Sequence, residues 1–278
     1  MLNVAFYGVR GSTPVCGPEV IRYGGNTSCV VLNGNEREPI VLDLGTGLRR
    51  FGALRAGRPF AGTALVSHLH WDHVQGLPFF APVLKPGGRL QVFGPPPEEH
   101  VDLRTAFDTF MQPPFFPVRI QDLAGHIEVD HCPGDRFRVG DAQVLAREIP
   151  HIGRTYGFRV SRGGSTVAYL PDHQQPSDGS MDVADSVLEL ADGVDLLIHD
   201  AQYLSEEFTR KSDWGHCTID YALHVAHLAG VRRLALFHHD PLRTDDDLDL
   251  QATCARLAGE RLGIEVFAAF EGLQFVID

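Results

Sequence analysis

No apolar run in the 278 residues approaches the ~18–20 needed to cross a bilayer. The amino terminus, MLNVAFYGVRG, lacks a basic segment followed by a long apolar stretch, so no signal peptide and a cytoplasmic location are expected. Cysteine is sparse. Its five copies (Cys16, Cys29, Cys132, Cys217, Cys254) are odd in number and form no C-x-x-C pair, which argues for reduced thiols rather than a disulfide framework. Positive charge is short as well: 24 Lys and Arg against 36 Asp and Glu give 24 − 36 = −12. A uniformly acidic surface repels phosphate backbones, so nucleic acid is not an expected partner. No internal repeat, low-complexity tail or linker divides the chain, and the length suits a single domain over residues 1–278.

What is present is the pattern of a mixed α/β protein. Short apolar, β-rich runs bounded by Gly, Asn or Asp fall at residues 4–7, 28–32, 40–43, 64–67, 90–93, 142–148, 157–160, 166–170, 196–199, 234–237, 265–268 and 273–277. Helical spacing covers residues 182–191. Thr218 caps a run over 219–229 that ends at Gly230, and Thr244 with Asp247 opens a helix over 245–262 ahead of Gly263. Residues 94–118 differ. Pro95-Pro96-Pro97, Pro113-Pro114 and Pro117 are expected to stop regular structure, while Phe107, Phe110, Phe115 and Phe116 are too many for a solvated linker. The segment reads as a packed connection or as a lid over a cleft.

Histidine is plentiful, at 14 residues. An apolar strand in ALVSHLHWDHVQG runs straight into His68, His70, Asp72 and His73. In extended backbone His68 and His70 point to one side, and a helix starting just after them would redirect Asp72 and His73 toward a neighbouring point. Such a cluster can hold two cations, and imidazole with carboxylate suits Zn, Mn or Fe, with Zn the first expectation.

The string H-L-H-W-D-H resembles the H-x-H-x-D-H signature of the metallo-β-lactamase superfamily. Asp43-Leu44-Gly45-Thr46-Gly47 is similar to the family's D-x-G-x-G loop, and Asn26-Thr27-Ser28 to the N-T-S turn of its ribonuclease Z and phosphodiesterase branch. The resemblance implies an αβ/βα sandwich, two mixed sheets with helices outside and two divalent metals at one edge. It also implies further ligands: His151 after the strand at 142–148, Asp172 at the end of TVAYLPDH as the bridging carboxylate, and His238 in LALFHHDP, with His239 as the alternative. One metal would then take His68, His70 and His151 and the other Asp72, His73 and His238.

Gly215-His216-Cys217-Thr218 is similar to the G-H-S-T motif of ribonuclease Z, whose histidine protonates the leaving oxygen. By that resemblance His216 is the proton donor, Asp200 the carboxylate supporting it, and Asp72 orients the attacking hydroxide as well as holding metal. The implied activity is phosphodiester hydrolysis by a hydroxide shared between two cations. Arg10 and Arg154 are candidates to meet an anionic substrate. His173 and His199 adjoin site residues, His224 and His227 read as structural, and His100, His126 and His131 read as surface groups. Ribonuclease Z grips transfer RNA with a long basic arm. No such insertion occurs here, so a small cyclic phosphodiester such as a 3′,5′-cyclic nucleotide is the preferred substrate. The alternatives are RNA 3′-end processing, hydrolysis of a lactone, thioester or β-lactam, and a non-catalytic metal-dependent binding module. Members of the family often pair, so a homodimer is a further expectation.

Overall fold

The computed structural model describes residues 2–33, 38–55, 57–96 and 101–277. Two seven-stranded mixed sheets face each other. The first has the order β14-β1-β2-β3-β4-β5-β6, built from β1 (Leu2–Gly8), β2 (Cys29–Asn33), β3 (Ile40–Leu42), β4 (Ala61–Leu65), β5 (Arg89–Gly94), β6 (His126–His131) and β14 (Gln274–Ile277). The second has the order β13-β12-β11-β10-β9-β8-β7, from β7 (Arg136–Val139), β8 (Ala142–Ile149), β9 (Thr155–Arg162), β10 (Ser165–Leu170), β11 (Leu196–Asp200), β12 (Arg233–Phe237) and β13 (Glu265–Ala268). In each sheet β3 to β6 or β10 to β13 run parallel, and the other neighbours pair antiparallel.

Alternation along the strands builds the layers. Leu2, Val4 and Phe6 of β1 face the second sheet and meet Phe158, Tyr169, Ile198 and Phe237 in the central core. Ala5 and Tyr7 face outward, into a core shared with α1 (Gly47–Leu54) and α3 (Leu103–Phe110). Beyond the second sheet, α4 (Asp185–Ala191), α6 (Ile219–Leu228) and α7 (Asp245–Leu262) cover Leu170, Leu197 and Leu236. The result is the expected four-layer αβ/βα sandwich. Two short helices, α2 (Trp71–Val74) and α5 (Ser205–Phe208), lie in connections. No helix among the described residues is long and apolar enough to cross a membrane.

One expectation fails inside 94–118. Despite the prolines on either side, α3 forms there. Asp102 caps it by accepting from the Thr105 N–H at 2.7 Å, and Leu103 and Phe107 anchor it in the outer core. The helix fits because it starts after the first proline cluster and ends before the second. Pro97 and His100 of this segment lie outside the described residues.

Candidate metal centre

The carboxyl ends of β3, β4, β8, β10, β11 and β12 all open on one edge of the sandwich, and each delivers a functional side chain as its strand stops. Asp43 follows β3, His68 and His70 follow β4, and His151 follows β8. Asp172 follows β10, Asp200 ends β11 and His238 follows β12. Parallel strands put their loops on the same side, which makes such an edge the natural site of an α/β fold. His70 is extended at φ −60°, ψ 147°, and α2 begins at the next residue. That turn from strand to helix brings Asp72 and His73 round beside the histidine pair.

All seven expected ligands converge. His68, His70, His151 and Asp172 form one group and Asp72, His73 and His238 another, the offered atoms of each lying within 4.8 Å of one another. In the first group His151 Nε2 is 3.3 Å from His70 Nδ1 and 3.7 Å from Asp172 Oδ2, which is 3.6 Å from His68 Nε2. In the second, His73 Nε2 and His238 Nε2 lie 3.2 and 3.1 Å from Asp72 Oδ2. The other oxygen of Asp172 sits 3.0 and 3.3 Å from the same two nitrogens. Four ligands at ~2.0–2.1 Å from one ion stand about 3.4 Å apart, so both groups have the spacing of a coordination shell. His239 takes no part: its Nε2 donates to the Ala269 carbonyl at 2.8 Å, away from the cluster.

In four of the five histidines the ring nitrogen facing away from the centre is engaged. His73 Nδ1 donates to Asp43 Oδ2 (2.7 Å), His238 Nδ1 to Gln202 Oε1 (2.8 Å) and His151 Nδ1 to the Gly215 carbonyl (2.6 Å). His68 Nδ1 is 3.0 Å from Ser67 Oγ. An acceptor on Nδ1 fixes the tautomer that leaves the Nε2 lone pair facing inward, as metal-ligating imidazoles require. The inward face is then crowded with lone pairs, and His68 Nε2 is buried without a hydrogen-bond partner. Only positive charge relieves that arrangement, and divalent cations fit it. Burial alone would keep the imidazole of His73 neutral. In the metal-free protein Asp172, Asp72 and Asp43 outweigh it and raise the His73 pKa well above the ordinary value. In the other group burial dominates: His68 and His70 are pushed down and His151 to about 4, the neutral form a ligand needs.

Backbone strain supports this edge. Asp43 (φ 60°) and His238 (φ 58°) occupy the left-handed region although neither is glycine, a conformation that costs on the order of 1–3 kcal/mol and persists where surrounding contacts enforce it. Asp43 is held by the Ser67 N–H (2.7 Å), Ser67 Oγ (2.9 Å) and Tyr169 OH (2.8 Å). Gly45 of the same loop admits no side chain, because a Cβ there would lie 2.3 Å from the Asp72 carbonyl oxygen.

Beside the cluster stands His216. Its Nδ1 lies 2.7 Å from Asp200 Oδ2 and 3.9 Å from Asp172. With Nδ1 donating to Asp200, the ring has Nε2 left to offer. Burial disfavours its charged form, but Asp200, and after it Asp172 and Asp72, outweigh burial and raise its pKa. Asp200 also accepts from the N–H groups of His173 and Gln202. His173 and His199 form a buried hydrogen-bonded pair at 2.9 Å behind these two aspartates. His224 and His227 stand on α6, His126 is exposed beside Glu128, and His131 donates to the Pro95 carbonyl. His100 lies outside the described residues.

Arg10 corrects the sequence reading. It is wholly buried, and its guanidinium donates to the carbonyls of Gly24 (2.9 Å), Asp240 (3.2 Å) and Arg243 (2.8 Å), so it braces three loops and meets no substrate. Arg154 does reach a cleft. That cavity of about 170 Å³ begins at His68 and His70 and is walled by Leu69, Pro95, Pro96, Val101, Leu103, Ile152 and Arg154. Exposed Trp71 precedes Asp72, and exposed Trp214 precedes Gly215.

Fold and site together define a metallo-hydrolase scaffold, with a histidine–aspartate cluster at the mouth of an αβ/βα sandwich. The sequence matches the beta-lactamase superfamily domain over residues 40–239, and the chain belongs to that superfamily, in its ribonuclease Z-like branch. It is 28% identical to the ribonuclease Z of Natronomonas pharaonis over 318 residues, covering 98% of this chain and 96% of that one. To the ribonuclease Z of Halorubrum lacusprofundi it is 30% identical over 285 residues, covering 85% and 86%. The crystal structure of the metallo-beta-lactamase fold protein YhfI from Bacillus subtilis superposes with a TM-score of 0.75 at 18% identity, over 99% of this chain and 100% of that one, and so shares the fold.

Proposed function

We propose that the chain is a metal-dependent phosphodiester hydrolase acting on a small cyclic phosphodiester such as a 3′,5′-cyclic nucleotide. The observation that carries the reading is His216. An imidazole braced on one nitrogen by Asp200 stands against a cluster of metal-type side chains, which is the arrangement of an acid beside an electrophilic centre. Two zinc ions are the proposed occupants. His68, His70 and His151 would hold one, Asp72, His73 and His238 the other, and Asp172 would face both. Divalent ions there supply charge neutralisation for phosphate oxygens and an activated water. The remaining chemistry belongs to side chains of this chain. Asp72, pinned through Oδ2 by the Ser12 N–H at 2.8 Å, is proposed to orient the attacking water. His216 holds the proton that the departing alkoxide needs. The cleft beside His70, smaller than the ~300–1,000 Å³ of most drug-sized sites, suits one planar group between apolar walls with Arg154 at its edge.

A second reading, RNA 3′-end processing, draws on the near full-length similarity to proteins named ribonuclease Z. The net charge of −12 weighs against a long RNA. Initial rates of the metal-loaded protein on cyclic nucleotides, a transfer RNA precursor, a lactone and nitrocefin separate the readings. Turnover of cyclic nucleotides and of neither carbonyl substrate is expected. Cleavage of the RNA alone would move the assignment to RNA processing, and inactivity on all four would leave a binding protein. His216→Ala should lower kcat on the preferred diester about 10²–10⁴-fold. A full rate would remove the histidine from the donor role.

A further inference from the structure

We propose that Gln174 is a positioning residue for the proton donor, tying the loop that carries His216 to the strand ends that carry Asp172 and His151. The inference rests on the reading of His216 as the acid. Gln174 follows Asp172 by two residues and is half-buried. Its backbone N–H donates to the carbonyl of Pro150, the residue before His151, at 2.7 Å. Its side chain spans the other loop: Oε1 accepts from the Gly215 N–H at 2.6 Å, and Nε2 donates to the Ser212 carbonyl at 2.8 Å. An amide can satisfy a donor and an acceptor at once, whereas a carboxylate or an alkyl group of similar size cannot.

Gly215 makes the tie matter. It sits at φ 92°, and a Cβ there would lie 2.5 Å from the His151 ring. Its carbonyl accepts from His151 Nδ1 at 2.6 Å, and the same peptide unit continues into His216. Asp200 fixes one nitrogen of the donor ring, but the course of the backbone that presents the ring is set by Gln174, with the Gln175 N–H on the His216 carbonyl at 3.3 Å. Releasing Gly215 therefore shifts the donor relative to the cluster without removing a candidate ligand.

The test compares two diesters on the metal-loaded protein. A cyclic nucleotide expels an alkoxide that needs a proton, whereas bis-p-nitrophenyl phosphate expels a nitrophenolate that does not. Gln174→Leu removes the side-chain bonds to Gly215 and Ser212, and those from Nε2 to the Gln175 and His216 carbonyls, at similar volume, and Gln174→Glu keeps the acceptor for the Gly215 N–H. Gln174→Leu should lower kcat about 10²-fold on the cyclic nucleotide and only about three-fold on the nitrophenyl diester, with Gln174→Glu recovering part of the loss. Metal content is measured alongside. A second readout is independent of turnover. The downfield Nδ1–H proton resonance of His216, assigned by its loss in His216→Gln, should broaden in Gln174→Leu. Equal losses on both diesters, or an unchanged selectivity and resonance, overturn the proposal. Should Gln174→Leu not fold, Gln174→Glu carries the same comparison, and a substrate-independent loss overturns the proposal there too. Wild type that turns over neither diester overturns the phosphodiesterase reading instead, and the resonance then decides the positioning role.

Discussion

Asp200 holds three groups with two oxygens: the His216 ring and the His173 N–H on Oδ2, and the Gln202 N–H on Oδ1. Gln202 in turn accepts from His238. An acid works only while protonated, so the proposed role of His216 predicts that activity falls as pH rises through its pKa. Asp200 raises that pKa against the effect of burial, and Asp200→Asn should shift the alkaline limb of the kcat profile to lower pH. A profile that stays in place would separate the carboxylate from the proton donor. On the ligand side, Asp43→Asn weakens the acceptor behind His73. Such supporting partners are typically worth 10–100-fold in metal affinity, and a loss of about that size is expected in competition with a chromophoric chelator. Three candidate ligands, after apolar strands, came from the family resemblance, whereas the other four could be read from the residues because they fall within six positions. Ser67, Tyr169, Gln174 and Gln202 could not. Each is a common polar residue whose role exists only through a partner brought in by folding, as with Tyr169 and Asp43, 126 positions apart.

At the scale of elements, the chain announces what has a strong period or a cap. The helix α7 runs over the expected residues, with Thr244 and Asp247 exchanging capping bonds and Gly263 in the left-handed conformation at φ 75°. Thr244→Ala should cost about 1 kcal/mol in denaturant unfolding and leave metal content unchanged. The missed elements lack such marks. Strand β7 is short and mostly solvent-facing, with Arg136 and Arg138 flanking Phe137. Strand β6 buries only Ile127 and Val129 between polar neighbours. Helix α1 begins at the second glycine of a turn motif, and α3 is masked by prolines. For these segments tertiary burial decides over local propensity.

For the molecule as a whole, two sheets that end on one edge gather charge-bearing side chains into the buried mouth of the fold, and stability becomes tied to their protonation. His68, His151, His173, His199 and His239 all have pKa values lowered by burial, His239 to about 3. Unfolded imidazoles take up protons near pH ~6.5. The unfolded state therefore binds more protons below that pH, and these groups contribute stability that is present above it and lost as pH falls toward the folded values. His73 and His216 act in the opposite sense but are fewer. The melting temperature of the metal-free protein should fall between pH 7.5 and pH 5, and a flat curve would contradict the burial account. The central claim is that one cluster holds two divalent ions. Metal analysis after zinc loading and gel filtration tests it most directly. Two equivalents per chain are expected for wild type, and about one for His70→Ala and for His238→Ala. Fewer than two in wild type, or two retained by both variants, would contradict it.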